Sequence, residues 1–207
     1  MIKEGRFSVI VGLVILLICS AVLATTGTIW IAKNPAILLV KMGNHYAQLK
    51  EYDKSIAAYN EALKIDEHNV EARHNEGVVY HDQGEMNLAI DAFEKAIKMD
   101  SGYFKAYYSL GLLYFELKSY TQSIEQLGQA AALEPNNTNI HFDLGVAFVE
   151  RFRQKESSGE VSSDDLDDLQ RGINQYEQVI VLDPSYSHAS ENLQIVKGVL
   201  EWYKETG

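Results

Sequence analysis

Four glycines recur in the sequence at a constant interval, and this interval limits the possible folds more than any other feature. The interval is 34 residues between successive members of the set Gly43, Gly77, Gly111 and Gly145. Three positions after each glycine comes an aromatic residue: Tyr46, Tyr80, Tyr114 and Phe148. Glycine inside a helix costs about 1 kcal/mol relative to alanine, so four glycines in register indicate a site where two backbones approach closely. The interval therefore predicts stacked copies of one supersecondary unit.

Three further positions keep the same phase relative to these glycines. Small residues lie 12 positions later, at Ser55, Ala89 and Ser123; large ones lie 16 later, at Tyr59, Phe93 and Leu127; alanines lie 19 later, at Ala62, Ala96 and Ala130. The combined pattern resembles the tetratricopeptide repeat (TPR), in which each unit is a pair of helices. The resemblance implies an all-α fold, a right-handed superhelix of TPR helix-turn-helix repeats. With the flanking segments, the complete prediction adds an N-terminal transmembrane helix and a C-terminal capping helix.

The glycine register also predicts the organisation of the chain. We expect an N-terminal segment over 1–35 and a TPR domain over 36–207, made of repeats 36–69, 70–103, 104–137 and 138–186 and a capping helix over 187–205. The fourth repeat carries 15 extra residues, predicted at about 152–167. We expect this insertion to lengthen both helices of its repeat, and we interpret it as tolerated variation in preference to a partner-specific finger.

The N-terminal segment has the character of a membrane anchor. Residues 7–32 form a run of 26 residues without a charge. As a helix the run would measure roughly 39 Å, against about 30 Å for the hydrocarbon core of a bilayer. We therefore predict a single-pass membrane protein whose TPR domain faces the extracytoplasmic side. A cleaved signal ending near 22–24 stays open as the alternative, and it would leave a secreted or periplasmic TPR protein.

The charge balance and the single cysteine exclude several classes of function. The formal net charge is −11, which disfavours nucleic acid as a partner and favours basic or neutral ones. Cys19 is the only cysteine, so neither an intrachain disulfide nor a cysteine-based metal site can form.

The resemblance also implies which side chains bind a partner, because the first helix of each TPR unit lines a concave groove. The candidate peptide-binding residues are Asn44, His74, Val78, His81, Tyr108, Leu112, Phe115, Glu116, Phe142, Val146 and Glu150. This set becomes more apolar and aromatic toward repeats three and four, with carboxylates along one margin. We therefore expect a protein or peptide partner with apolar anchors and basic character.

Other site chemistries fit the sequence less well. Some TPR proteins clamp the carboxylate of a chaperone tail, but Val40 and Ser109 stand where that clamp needs basic residues. His74 and His81 are seven residues apart, whereas helical metal ligands prefer three or four. We therefore predict no metal, no cofactor and no enzymatic activity. The predicted function is a membrane-anchored interaction scaffold or assembly factor, and a self-associating structural TPR protein is the alternative.

Overall fold

The computed structural model describes residues 34–159 and 161–206, and within these ranges the protein consists of nine α-helices without a strand. The helices are α1 Pro35–Gln48, α2 Tyr52–Ile65, α3 Val70–Asp82, α4 Met86–Met99, α5 Phe104–Glu116, α6 Tyr120–Leu133, α7 Thr138–Ser158, α8 Ser163–Leu182 and α9 Ser187–Thr206. The predicted all-α helical repeat fold is confirmed. The predicted domain boundary at residue 35 stays a prediction.

The first three hairpins turn at a residue with left-handed backbone. Lys50, Gly84 and Lys118 have φ values of 58°, 80° and 57°, and they are spaced by one repeat length. In the first hairpin the N–H of Lys50 donates to the carbonyl of Ala47, and the N–H of Glu51 donates to that of Tyr46. The same pair of bonds recurs at the other two turns. This is a Schellman motif, which satisfies the last carbonyls of a helix and reverses the chain.

The ladder glycines lie where the two helices of a unit meet. A Cβ atom added to Gly111 would lie 2.8 Å from Cγ of Leu127, and one added to Gly145 would lie 2.8 Å from Cε1 of Tyr176. A Cβ atom on Gly43 would lie 2.3 Å from Cε1 of Tyr59. The glycines therefore make room for a large side chain of the second helix, which packs on bare backbone. Tyr176 is the equivalent of Leu127 once the insertion in the fourth repeat is counted.

The insertion has become helix. Helices α1 to α6 have 13 or 14 residues, whereas α7 has 21 and both α8 and α9 have 20. The position equivalent to Lys118 is Phe152, which is 1 % exposed and helical, so α7 continues to Gly159, where φ is 76°. The predicted lengthening of both helices is confirmed.

Buried contacts hold the lengthened helices together. The Phe152 ring packs edge-on against Tyr203 of α9, with ring centroids 5.4 Å apart. Arg151 Nε donates to Asp168 Oδ2 at 2.7 Å, and Lys155 forms an ion pair with Asp165. The Asp165 carboxylate also accepts from the N–H and the hydroxyl of Ser162, which precedes α8. The extension is therefore a packed part of the molecule.

The described residues divide into two compact units, 34–79 and 80–206. Within the first unit, α1 packs against α2. Within the second, α4 packs against α5, α5 against α6, α6 against α7, α7 against α8, and α8 against α9. The buried core around α7 to α9 contains Phe152, Leu169, Tyr176, Leu193 and Val196.

The predicted single-pass membrane localisation is corrected by this structure. No helix within 34–159 or 161–206 is long and apolar enough to cross a bilayer. Although α7, α8 and α9 have sufficient length, each carries several charged side chains. The predicted anchor itself, residues 7–32, lies outside the described residues.

Two glycine-to-alanine substitutions are expected to change stability in opposite directions. Gly111→Ala places a methyl group 3.1 Å from the backbone nitrogen of Leu127 and closer still to its side chain, so we expect a loss of roughly 1–3 kcal/mol. Gly128→Ala on α6 meets no atom within 4 Å, and removing the helical glycine should stabilise by up to about 1 kcal/mol. Chemical denaturation of both variants checks the signs, and destabilisation by both or by neither would contradict the proposed close approach.

The anchoring of α8 predicts a pH-dependent contribution from Asp165. The hydrogen bonds from Lys155 and Ser162 lower the pKa of this carboxyl group to about 2. Its stabilising effect is therefore complete above the ordinary aspartate pKa of about 3.9 and is lost as the pH falls through the folded value. Asp165→Asn should cost about 1 kcal/mol near neutral pH, as for loss of a helix cap, or roughly 2–4 °C in Tm.

The matched control is Asp167→Asn. Asp167 is exposed and pairs with Arg171 one turn further along α8, so its loss should cost about 0.5 kcal/mol or less. The difference in Tm between wild type and Asp165→Asn should shrink between pH 5 and pH 2. A constant difference across that interval would show that the carboxylate charge does not anchor α8.

Candidate functional site

The second unit presents a depression between α5 and α7, called here the first depression. It is lined by Leu112 and Phe115 of α5, Leu127 of α6, and Asp143 and Val146 of α7, and it encloses about 210 Å³ of space open to solvent. Leu127 is fully buried and forms the floor, whereas Leu112 remains 38 % exposed at the rim. The lining is apolar except for Asp143.

A second depression lies between α7 and α9 and encloses about 340 Å³ of space open to solvent. Its lining comprises Val146, Val149, Glu150 and Arg153 of α7, Tyr176 of α8, and Asn192, Ile195 and Val196 of α9. Ile195 is 57 % exposed, and Val146 also lines the first depression. The two depressions are therefore neighbours that share one wall.

The two depressions are copies of one another, one repeat apart. Leu112 and Phe115 are 34 residues before Val146 and Val149. After the fourth repeat, with its 15 extra residues, the spacing becomes 49: Leu127 corresponds to Tyr176, Asp143 to Asn192, and Val146 to Ile195. Helix α9 thus occupies the place of the first helix of a fifth repeat. The fold offers the same surface position twice, with different side chains.

Asp143 brings a carboxylate to the first depression. Its Oδ2 accepts a hydrogen bond of 2.6 Å from the hydroxyl of Tyr108. Burial raises the pKa of Asp143, and the hydrogen bond from Tyr108 offsets part of this effect. Burial and the neighbouring carboxylate likewise raise the pKa of Tyr108, so Tyr108 remains the proton donor. This carboxylate faces apolar side chains and one neutral donor.

The second depression carries balanced charges. Glu150 and Arg153 form an ion pair of 2.6 Å at its edge. The hydroxyl of Tyr176 accepts a long hydrogen bond of 3.5 Å from Asn192, and burial raises the pKa of Tyr176 to about 12. The polar groups here are amide and phenol, which can donate and accept without a net charge.

The structure brings some of the predicted site residues together. Leu112, Phe115, Val146 and Glu150 line the two depressions, and Tyr108 reaches them through Asp143. Phe142 differs, because its ring is partly buried between Tyr186 and Tyr176, with centroid distances of 5.1 and 5.8 Å. Its aromatic surface is largely used in packing α7 against the core.

Two other predicted residues lie outside both depressions. Glu116 at the end of α5 pairs with His81 of α3, with 2.7 Å between Oε2 and Nε2. Both side chains are exposed to solvent, and neither lines the depressions. The carboxylate margin expected from the sequence is therefore engaged in ion pairs at both Glu116 and Glu150.

The remaining predicted residues belong to the first unit. The Asn44 side-chain oxygen accepts from the Tyr59 hydroxyl at 2.7 Å and from the Asn75 amide at 2.9 Å. His74 is buried, and its Nδ1 lies 3.0 Å from the Asn75 side-chain oxygen. Val78 is partly buried. Asn44 holds the register position of Leu112, so this position carries a hydrogen-bonded polar network in the first unit.

Sequence reasoning missed Asp143, Asn192 and Ile195. Asp143 lies two positions before the ladder glycine of its repeat, at the same place as Asn75, and this register was available from the sequence. Asn192 and Ile195 could have been found by counting one more repeat past the insertion. Within 34–159 and 161–206, no group of three or more His, Cys, Asp or Glu side chains is arranged to hold a metal ion.

Comparison with known proteins places this geometry in context. The family model of the TPR repeat matches residues 43–84, 77–118 and 111–150. No curated protein matches the chain. A crystal structure of MamA protein is similar, with a TM-score of 0.63 and 25% identity over 84% of this chain and 88% of that chain.

Two further solved structures are similar and carry a binding site. YrrB, a TPR protein with an unusual peptide-binding site, has a TM-score of 0.62 and 25% identity over 89% of this chain and 86% of that chain. The first TPR of Spaghetti (RPAP3), bound to the HSP90 peptide SRMEEVD, has a TM-score of 0.52 and 25% identity over 55% of this chain and 90% of that chain.

The packing of Phe142 predicts a structural cost on truncation. Phe142→Ala removes a ring that contacts Tyr176 and Tyr186, so we expect it to lower stability by roughly 1–3 kcal/mol. Ile195→Ala shortens a side chain that is 57 % exposed and should cost less than about 1 kcal/mol. Equal melting temperatures for the two variants would show that Phe142 is free for ligand binding.

Proposed function

Because the chain belongs to the TPR family, we propose that it binds a peptide or partner protein on the surface formed by α5, α7 and α9. The single observation that carries the proposal is the pair of repeat-related depressions sharing Val146. A surface that repeats at the spacing of the helices suits a ligand that is itself a chain.

The exposed apolar side chains support this proposal. Leu112 is 38 % exposed and Ile195 57 %, and both stand at the rims of depressions floored by buried Leu127 or Tyr176. Concave sites with an apolar lining and a few polar groups are typical of ligand binding. A partner that places apolar side chains in these depressions removes both rims from water, at about 25 cal/mol per Å² of buried apolar area.

The similar structures support the same class of function. YrrB is described by a peptide-binding site, and the RPAP3 repeat was solved with a peptide bound. We extend this class to the present chain and propose a role as an interaction scaffold or assembly factor. We expect no enzymatic activity, since the proposed surface needs only binding. The net charge of −11 favours a basic or neutral partner.

Substitutions at the two rims test the proposal. A random dodecapeptide library is selected on the purified full-length chain, and fluorescence anisotropy measures the affinities of the enriched peptides. Leu112→Gln with Ile195→Gln should weaken binding at least tenfold, since each lost apolar anchor is worth about 1–2 kcal/mol. Circular dichroism should show unchanged helix content.

The matched control is Val181→Gln on α8. Val181 is 75 % exposed and lines neither depression, so the same kind of change there should leave the affinity unaltered. If no peptide is enriched, or if the rim variant binds as tightly as the control, the proposed function is wrong. Sedimentation of the same samples reports whether binding competes with self-association.

A further inference from the structure

Asp143 is the only charged residue that lines the first depression. The equivalent positions in neighbouring units are Asn75 and Asn192, whose amides are close in shape to aspartate but neutral. The fold therefore accepts a neutral group at this position. A carboxylate in its place changes the charge of the site with almost no change in its shape.

The carboxylate has no cationic partner among the described residues. Its one hydrogen bond comes from Tyr108, which is neutral, and no lysine, arginine or histidine in residues 34–159 or 161–206 forms an ion pair with it. Placing an ionised carboxylate beside Leu112, Phe115 and Val146 has a desolvation cost that a nearby cation offsets. The raised pKa of Asp143 agrees with a carboxylate that burial affects more than any neighbouring charge.

The nearby ionic groups are already paired with each other. Glu150 pairs with Arg153 in the second depression, and Glu116 pairs with His81 outside it. The unpaired negative charge of this surface is thus concentrated at Asp143, next to an apolar cavity. Charge complementarity then fixes the chemistry of the missing group, which is a cation attached to an apolar stem or neighbour.

We propose that the first depression is specific for a peptide segment in which an apolar residue lies beside a lysine or arginine, whose cation binds the Asp143 carboxylate. This inference rests on the proposed peptide-binding function and names the class of partner. Tyr108 is a positioning residue, because its hydroxyl holds Oδ2 and leaves Oδ1 for the ligand. The second depression, with Asn192 in the equivalent place, takes an uncharged apolar residue.

The repeat spacing sets the distance between the two anchors. Packed helices lie roughly 8–10 Å apart, so equivalent points in adjacent depressions are separated by about that distance. An extended or polyproline II segment advances about 3.1–3.4 Å per residue and covers this distance in three residues. The expected motif therefore has a basic and apolar pair, followed or preceded by a second apolar residue three positions away.

Parallel library selections test this specificity. The same random dodecapeptide library is selected on the full-length wild type, on Asp143→Asn and on Asp91→Asn. Asp91 on α4 is exposed, pairs with Lys95, and gives the same chemical change outside the site. The wild-type and Asp91→Asn pools should be enriched in lysine and arginine beside an apolar residue, and the Asp143→Asn pool should lose this enrichment.

Affinities of one selected peptide and its lysine-to-methionine analogue provide a second measurement. The analogue should bind the wild type at least tenfold more weakly, and this ratio should fall toward one with Asp143→Asn. Tyr108→Phe removes the neutral donor and keeps the carboxylate, so the preference for lysine should persist. If Asp143→Asn does not fold, the analogue measured on the wild type still decides the question.

The outcomes separate the two proposals. Enriched peptides without basic residues, or equal basic enrichment with Asp143→Asn, would overturn the cation specificity and leave the peptide-binding function standing. Failure to enrich any peptide would overturn both. Basic enrichment that the Leu112→Gln and Ile195→Gln double substitution does not reduce would place the cation site elsewhere on the chain, and would also overturn the inference.

Discussion

The close contact between a ladder glycine and the large side chain of the paired helix determines the rest of the fold. Leu127 packs on Gly111 and Tyr176 packs on Gly145, at distances that leave no room for a methyl group. Because the floor residue of each depression is this same large side chain, the contact that holds a hairpin together also shapes the surface above it. Packing and binding surface are consequences of one geometric constraint.

The fourth repeat shows how a single backbone position controls the extent of that surface. Lys50, Gly84 and Lys118 adopt left-handed backbone and end their helices, which a lysine or glycine side chain permits at modest cost. Phe152 holds the equivalent place but is buried, so ending the helix there would expose its ring. Helix α7 continues instead to Gly159, and α8 and α9 lengthen to cover it. The additional turns carry Arg153, which lines the second depression.

The sequence was sufficient for the repeat, the helices and the position of the insertion, because these follow from glycines and large residues in fixed phase. It was not sufficient for the site. Distance from Gly145 correctly predicts the face on which Phe142 lies, but it does not show that Tyr186, from the segment before α9, covers the ring. Glu116 lies at a predicted groove position, yet its partner His81 is 35 residues away in the chain. Such pairings depend on how neighbouring units meet, and periodicity alone does not encode it.

The same positions carry different chemistry in successive units, and this variation is the most informative feature of the chain for function. Asn44, Asn75 and Tyr59 form a saturated hydrogen-bond network in the first unit. At the equivalent positions of the first depression stand Leu112, Asp143 and Leu127, where two apolar groups surround one charge. A repeat frame keeps the backbone constant, so an exchange of amide for carboxylate alters the local potential without altering shape. Specificity in such a scaffold therefore depends on the few positions where charge and apolar surface change together, and position 143 is one of them.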